Sequence, residues 1–416
     1  MKKYFFILLA IGCCYLPGCS KDTELGMAEG IDVNVKSKYV NLTKAQKELT
    51  SSANTFAFDL FNQIRSSREK DETILLSPFS ASMALGMAAT GAEGETERQM
   101  RTVLGFESAS KEEIASYYSK MISGLAEADP YVDLKIANSI WIDKYFPVKE
   151  DYINSSEKSF NSEVENRDFS SPSALEDINK WVEKKTDGTI KELLDELNPD
   201  AMMVLANALA FEGKWRYSFA GTKKAPFNNV SGGKKRTDMM YATGELNYSS
   251  RDGWEMLCLP YGAGTFSMYI ILPPAGNDFS SIKMDEDRWK TLYNTLSIYD
   301  VNVHIPAFIT NDSHDLIGPL KALGMTEPFS NADFSGITDE SIRIGKVDQK
   351  TFIEVNETGT KASAATAVTF MAYSTGVDPG EIVLESANFD ADRPFFYIIH
   401  ERSTDAILFI GQVTEL

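Results

Sequence analysis

The sequence predicts an α+β fold, because helical patterns dominate its first part and strand patterns dominate the rest. In residues 45–64 the apolar positions recur at helical spacing: Leu49, Ala53, Phe56, Leu60 and Ile64. After residue 200, short β-branched and aromatic runs are bounded by glycine, proline or charged residues, which is typical of strands. This order of elements favours antiparallel or mixed sheets over the alternating units of a parallel sheet.

The individual elements follow from the same two periods. Helices are predicted at residues 45–64, 80–90, 111–126, 150–159 and 174–186, with a short buried strand at 74–76. Later strands are predicted at 202–209, 256–260, 267–272, 301–305, 342–347, 352–355, 395–400 and 407–413. No long linker and no internal repeat interrupts the chain. Residues 45–416 are therefore predicted to form one domain.

The composition excludes several functions. The chain has 416 residues, of which 43% are hydrophobic, so it can bury a sizeable core. Its net charge of −19 argues against a nucleic-acid partner and against adsorption to an anionic membrane surface. It has no phosphate-binding glycine loop and no HExxH motif, and we predict no cofactor and no metal site.

Histidine and cysteine are scarce. Of three histidines, His304 and His400 fall on predicted strands and His314 on a predicted turn. Because no nucleophile motif accompanies them, structural roles are expected and an exported hydrolase is disfavoured. Cys258 lies in an apolar run, which predicts a buried structural thiol and no intramolecular disulfide in the mature chain.

The N-terminus predicts export and a lipid anchor. Lys2 and Lys3 precede an apolar stretch, and the tetrapeptide ending at Cys19 resembles a bacterial lipobox. Residues 1–18 are then a signal peptide, Cys19 is the lipidation site, and 19–44 form a tether. The alternative is an ordinary secretory signal. Residues 20–24 resemble a surface-export tag, so we expect an outer-membrane lipoprotein of a Gram-negative bacterium, facing either the cell surface or the periplasm.

Residues 357–374 are unusually small and polar. With the period of two that strands impose, one face carries no charge: Thr360, Ala362, Ala364, Thr366, Val368 and Phe370. The other face carries Lys361. Such a segment could enter an existing sheet without burying an unpaired ion. On this segment alone, an Ala/Thr-rich linker or a short helix remains open.

Separate segments of residues 45–416 resemble the serpin family, in the family's order. The matching segments include 76–82, 91–96, 178–188, 206–215, 259–261, 271–273, 305–308, 320–324, 393–395 and 407–411. The resemblance implies three β-sheets, eight or nine helices and an exposed reactive-centre loop. It also implies that the chain is a protease inhibitor rather than an enzyme, and a monomer.

The resemblance assigns roles within the loop. The hinge matches Glu357, Gly359, Thr360, Ala362, Ser363, Ala364, Ala365 and Thr366. The family's spacing puts the scissile bond at Tyr373-Ser374, with Phe370 or Met371 as alternatives, and leaves residues 375–388 without a role. An apolar or aromatic residue there favours proteases with an apolar primary pocket, of chymotrypsin, cathepsin G or subtilisin type.

The implied mechanism is suicide inhibition of serine proteases, with cysteine proteases left open as a second target class. The target protease cleaves the loop as far as a covalent acyl-enzyme, and the cut loop inserts into the large sheet and traps it. The alternative is a non-inhibitory serpin acting as a surface binding protein.

The resemblance also assigns residues that control opening of the sheet. Ser77, Ser80, Asn207 and Gln349 match a polar cluster beneath the large sheet, with Gln349 in place of the family's usual histidine. Trp215 matches the tryptophan where the loop enters. Glu357 in relatives pairs with a basic residue, but Ala307 occupies that position, so this salt bridge is expected to be absent.

Overall fold

The computed structural model describes residues 25–32, 34–360 and 384–416. In these ranges the chain forms eight α-helices: α1 (Lys44–Ser67), α2 (Pro78–Thr90), α3 (Gly94–Leu104), α4 (Lys111–Ala126), α5 (Glu150–Phe160), α6 (Pro172–Lys185), α7 (Glu286–Tyr293) and α8 (Ile317–Ala322).

The strands of the described chain are β1 (Gly26–Met27), β2 (Ile74–Leu76), β3 (Val132–Asp143), β4 (Ser162–Arg167), β5 (Met203–Lys214), β6 (Tyr217–Ser218), β7 (Gly221–Asn228), β8 (Lys234–Arg251), β9 (Trp254–Pro260), β10 (Phe266–Leu272), β11 (Ser297–Pro306), β12 (Phe308–Asp315), β13 (Ile344–Asn356), β14 (Gly359–Thr360), β15 (Ser386–Asp390), β16 (Phe395–Glu401) and β17 (Ala406–Val413).

The large sheet, sheet A, has the strand order β12-β13-β14-β5-β3-β4. Most neighbours in it are antiparallel, but β13 and β5 also pair directly with each other and run parallel. Helix α6 covers one face of the sheet, where Trp181, Ile178 and Val182 pack among Trp141 and Val204. The parallel pair at the centre of sheet A is the feature on which the candidate site depends.

The other large sheet has nine strands and divides at the long strand β8. Residues 234–248 of β8 pair with β7 and β11, and β15 adds to the far edge of β11; we call these four strands sheet C. The end of β8 pairs with β9, and β10, β16, β17 and β2 follow in order as sheet B. A separate two-stranded pair joins β1 to β6.

Helix α2 is the central helix of the domain. All its residues from Pro78 to Ala89 are buried, because it packs against α1, α3 and α4 and against strands β5 and β17. Gly86 lets Tyr118 of α4 approach closely, since a Cβ at Gly86 would lie 2.7 Å from the tyrosine ring. The N-terminal end of this helix carries Ser77 and Ser80 beneath sheet A.

The N-terminal segment runs along the body of the domain before α1. Leu25 N donates to Thr243 O at 2.6 Å, and Ala28 N donates to Arg216 O at 3.0 Å. Thr43 caps α1 through a reciprocal pair of hydrogen bonds with Gln46. None of the helices in the described part of the chain is long and apolar enough to cross a membrane.

Most predicted elements are present, and the differences have physical causes. The predicted strands 342–347 and 352–355 are one continuous strand, β13, because the polar side chains between them find partners: Lys346 pairs with Asp348 at 2.7 Å, and Gln349 binds backbone groups. The prediction for His314 was wrong, since it lies on strand β12 and not on a turn. His304 and His400 lie on strands, and Cys258 is buried, where desolvation raises the pKa of its thiol.

Candidate functional site: the opening between β13 and β5

Strands β13 and β5 pair over only part of their length. Their parallel ladder runs from Ile344 beside Met203 to Thr351 beside Leu209. Beyond Thr351 the strands diverge, and in the described chain residues 352–354 of β13 do not pair with residues 210–212 of β5. Sheet A therefore forms a fork that is closed at one end and open at the other.

Strand β14 lies in the open end of this fork. Thr360 pairs with Val355 of β13 on one side and with Gly213 of β5 on the other, antiparallel to both. Position 359 requires glycine because the backbone of β5 lies so close that a Cβ there would collide with the carbonyl oxygen of Gly213. Two residues of the predicted hinge are thus already strand neighbours of both β13 and β5.

A pair of stacked aromatic side chains holds β14 and the turn before it through hydrogen bonds. Trp215 and Tyr261 stack with ring centroids 4.4 Å apart and ring planes at 13°. The indole Nε1 of Trp215 donates to Asn356 O at 2.8 Å, and its backbone N donates to Thr358 O at 3.1 Å. The Oη of Tyr261 lies 2.6 Å from Thr360 Oγ1. The end of β13, the turn after it and β14 are therefore all fixed to this pair.

A row of buried polar side chains crosses the closed part of the fork. Register places them side by side on four strands: His314 on β12, Gln349 on β13, Asn207 on β5 and Asn138 on β3. Each side chain is at most 4% exposed, so each depends on partners inside the protein.

The partners divide this row into two networks, one on each side of the fork. Gln349 accepts from Ser77 N and donates to Ser77 O, both at 2.8 Å, while Ser77 Oγ donates to Leu408 O at 2.9 Å. Asn207 accepts from Ser80 Oγ and donates to Asn138 Oδ1. No side-chain hydrogen bond joins Gln349 to Asn207 in the described structure. Separating β13 from β5 here would break the backbone bonds between them. Because Ser77 and Ser80 both lie at the N-terminal end of α2, it would also strain or break at least one of the two networks.

His314 and Asp312 tie β12 to β2. Nε2 of His314 lies 2.9 Å from Leu75 O and 3.0 Å from Asp312 Oδ2, and its Nδ1 lies 3.2 Å from the Arg68 guanidinium. Burial alone would raise the pKa of Asp312, but hydrogen bonds from His314 and Leu75 N and the charge of Arg68 outweigh it and lower the pKa. The stabilisation from this carboxylate is therefore present above about pH 3.9 and is lost as pH falls through the lowered pKa.

The structure brings together Ser77, Ser80 and Asn207 through α2, places Gln349 beside Asn207, and puts Trp215 and Gly359 at the open end. Glu357 is exposed, and no basic side chain of the described chain pairs with it. Ala307 is the single residue between β11 and β12. The remaining assigned positions lie outside the described residues: Cys19, Ala362, Ser363, Ala364, Ala365, Thr366, Phe370, Met371, Tyr373 and Ser374.

Sequence reasoning missed three residues of this site. Tyr261 and Gly213 contributed only to the family resemblance, and Asn138 was overlooked. Asn138 could have been found, because it is the one polar residue on the face of β3 that otherwise carries Val132, Leu134, Ile136, Ile140 and Ile142, and a buried amide needs partners.

The comparisons with known proteins agree with this architecture. The family described as "Serpin (serine protease inhibitor)" matches residues 51–416. An uncharacterized serpin-like protein of Methanosarcina mazei is 32% identical over 427 residues, which cover 99% of this chain and 98% of the relative. The leukocyte elastase inhibitor of Sus scrofa is 33% identical over 386 residues, covering 88% and 99% of the two chains.

Among solved structures, the thermophilic serpin tengpin in its native state is similar with a TM-score of 0.81 and 28% identity, covering 94% of this chain and 100% of that one. The α+β fold with sheets A, B and C is thus that of a family of protease inhibitors. The chain belongs to the serpin family. Serpins are generally inhibitors that bind target proteases and are not enzymes.

Proposed function

We propose that this chain is a suicide-substrate inhibitor of serine proteases that have an apolar primary pocket. The observation that carries the proposal is the fork in sheet A, with Gly359 and Thr360 in its open end. Between two parallel strands, a third strand can pair with both when it runs antiparallel to them. A chain that leaves β13 and turns back has that direction.

The composition of the loop suits such insertion. Residues 362, 364 and 366 continue the face of Thr360 and are small or hydroxylated, so they would bury no charge. Residues 361–373 as an extended strand would carry Tyr373 roughly 43 Å along the sheet. Because β13 and β5 are bonded directly over residues 344–351, that space is still closed by a parallel ladder.

The chemistry belongs to the protease. Its serine oxygen attacks the carbonyl carbon of Tyr373, the bond to Ser374 breaks as the leaving amine takes a proton, and an ester to Tyr373 remains. Insertion of the freed loop drags this ester and its protease across sheet A. Deacylation stalls when the distorted protease can no longer position water, and the inhibitor and protease stay covalently joined. The native fold is then a kinetically held state.

The test uses the protein from residue 20 onward, mixed with chymotrypsin and, as a control, with trypsin. We expect an adduct with chymotrypsin that survives SDS, and a released fragment whose first residue is Ser374. A fragment starting at Met371 or Ala372 would move the scissile bond to follow Phe370 or Met371, respectively. Complete cleavage with no adduct and a fully active protease would overturn the proposal and favour the non-inhibitory binding protein.

We also propose that the mature protein is a monomer held at a bacterial outer membrane by a lipid on Cys19. Support comes from the lipobox-like sequence that ends at Cys19, shortly before Leu25, whose backbone N is hydrogen-bonded to Thr243 O of the domain. Replacing Cys19 by alanine in the full chain should move the protein from the membrane fraction to the soluble fraction. Equal membrane association of both forms would contradict the anchor.

A further inference from the structure

The hydroxyl groups of Tyr261 and Thr360 form a buried pair at the open end of the fork. Both residues are 0% exposed, and their oxygens lie 2.6 Å apart. In the described chain, no other hydrogen bond to either hydroxyl is present. Burial raises the pKa of Tyr261, so its hydroxyl remains protonated and can donate to or accept from Thr360.

Tyr261 is a rigid support for this bond. Its ring stacks on Trp215 and packs edge-on against Phe211 at 4.9 Å, while its backbone N donates to Phe266 O at 2.9 Å. Rotating the ring away would break these aromatic contacts. The hydroxyl of Tyr261 is therefore held within hydrogen-bonding distance of the Thr360 side chain when Thr360 is paired in sheet A.

We propose that Tyr261 is a positioning residue that holds Thr360 in sheet A and so sets the starting point of loop insertion. This inference rests on the proposed inhibitory function for its consequence. The first residues of an added strand lose conformational entropy before enough hydrogen bonds and side-chain contacts have formed to offset that loss. Because Thr360 is already paired with Val355 and Gly213, this unfavourable first step is complete before the protease cleaves the loop.

The consequence is kinetic. After acylation, insertion competes with hydrolysis of the ester, and the outcome depends on the ratio of the two rates. If the hydroxyl of Tyr261 is removed, Thr360 Oγ1 is left buried without its partner and the hinge leaves the sheet more often. Insertion then starts later, and a larger share of inhibitor molecules is cleaved without trapping protease.

The experiment compares four variants of the protein from residue 20 onward: Tyr261→Phe, Thr360→Val, the double variant and Tyr152→Phe. Both single hinge variants keep the side-chain shape and remove one hydroxyl. The fourth is the matched control, because buried Tyr152 also loses a hydrogen bond, 3.0 Å to Met87 O, which joins α5 to α2 and includes no residue of β5, β13 or β14. Two quantities are measured: the ratio of cleaved to trapped inhibitor with chymotrypsin, and amide hydrogen exchange at residues 359 and 360 in the free protein.

We expect each hinge single variant to raise the cleaved-to-trapped ratio about tenfold, which corresponds to about 1.4 kcal/mol. The double variant should lie closer to wild type than either single one, because an apolar pair replaces a half-satisfied one. Exchange at residues 359 and 360 should rise in Tyr261→Phe and stay unchanged in Tyr152→Phe.

The two readouts separate the failure of this inference from the failure of the proposed function. Unchanged exchange in Tyr261→Phe would overturn the positioning role even if the wild type traps no protease. A trapping wild type with an unchanged ratio in both single variants would overturn the kinetic consequence. If Tyr152→Phe shifts the ratio equally, the effect is one of general stability and the inference is wrong.

Discussion

Replacing Thr360 by arginine is expected to abolish the proposed trapping of protease and to leave a protein that is only a substrate. The Thr360 side chain is 0% exposed and lies against Tyr261, between β13 and β5. A guanidinium at that position must either be buried without an acid or keep the hinge out of the sheet. The effective penalty for burying an unpaired ion is several kcal/mol, so the hinge would stay outside.

With the hinge excluded, the loop cannot begin to insert, and hydrolysis of the ester wins. Thr360→Arg should therefore be cleaved completely by chymotrypsin, leave the protease active and give no SDS-stable adduct. The measurement is the adduct fraction on a denaturing gel together with residual protease activity.

Two controls accompany this variant. Thr360→Ser keeps the hydroxyl that meets Tyr261 and should keep trapping. Lys361→Arg retains a cation on the face that the period of two predicts to meet water, and it should also trap. If Thr360→Arg forms as much adduct as the wild type, Thr360 does not face the interior during insertion.

The chemistry of the hinge could be read from sequence because it depends on residues that are adjacent in the chain. The alternation that puts Thr360 and Lys361 on opposite faces needs only the strand period. The same local rules predicted α4 at 111–126 and the short strand at 74–76 with the bounds that the structure has. The role assigned to residues 362–374 stays a prediction.

Contacts between distant segments could not be read in this way. Tyr261 and Thr360 are 99 positions apart, and nothing local signals that their hydroxyls meet. Strand β12 escaped prediction because its buried face is polar: Thr310, Asp312 and His314 alternate with exposed residues, so hydrophobicity shows no period. Strand β8 was missed because its many charged and polar residues form a strand through pairing with β7, β9 and β11.

The polar row beneath the fork shows why pairing matters more than composition. Its four side chains come from four strands, and the sequence alone placed only Gln349 and Asn207 in one cluster. It could not show that each would be satisfied on its own side, by Ser77 and by Ser80 and Asn138 respectively. That division determines how the sheet responds to mutation.

Replacing Asn207 by alanine should lower the free energy of unfolding by about 2 to 4 kcal/mol, since it leaves two buried polar groups, on Ser80 and Asn138, without their partner. The decrease appears as a lower Tm and as faster thermal loss of adduct-forming protein. The matched control is Asn247→Ala, because Asn247 is an exposed strand residue and its loss should change stability by less than about 0.5 kcal/mol.

The double variant of Gln349 and Asn207 tests whether the two networks are coupled through the N-terminal end of α2. Gln349→Ala removes the partner of Ser77 on the β13 side, and Asn207→Ala acts on the β5 side, although the two residues are direct neighbours in the ladder. Because the two residues are direct neighbours and both networks end at the N-terminal end of α2, their losses are expected to depart from additivity by about 0.5 kcal/mol or more. Losses that add within a smaller margin would mean that the two networks act independently, and that sheet A can open without disturbing either of them.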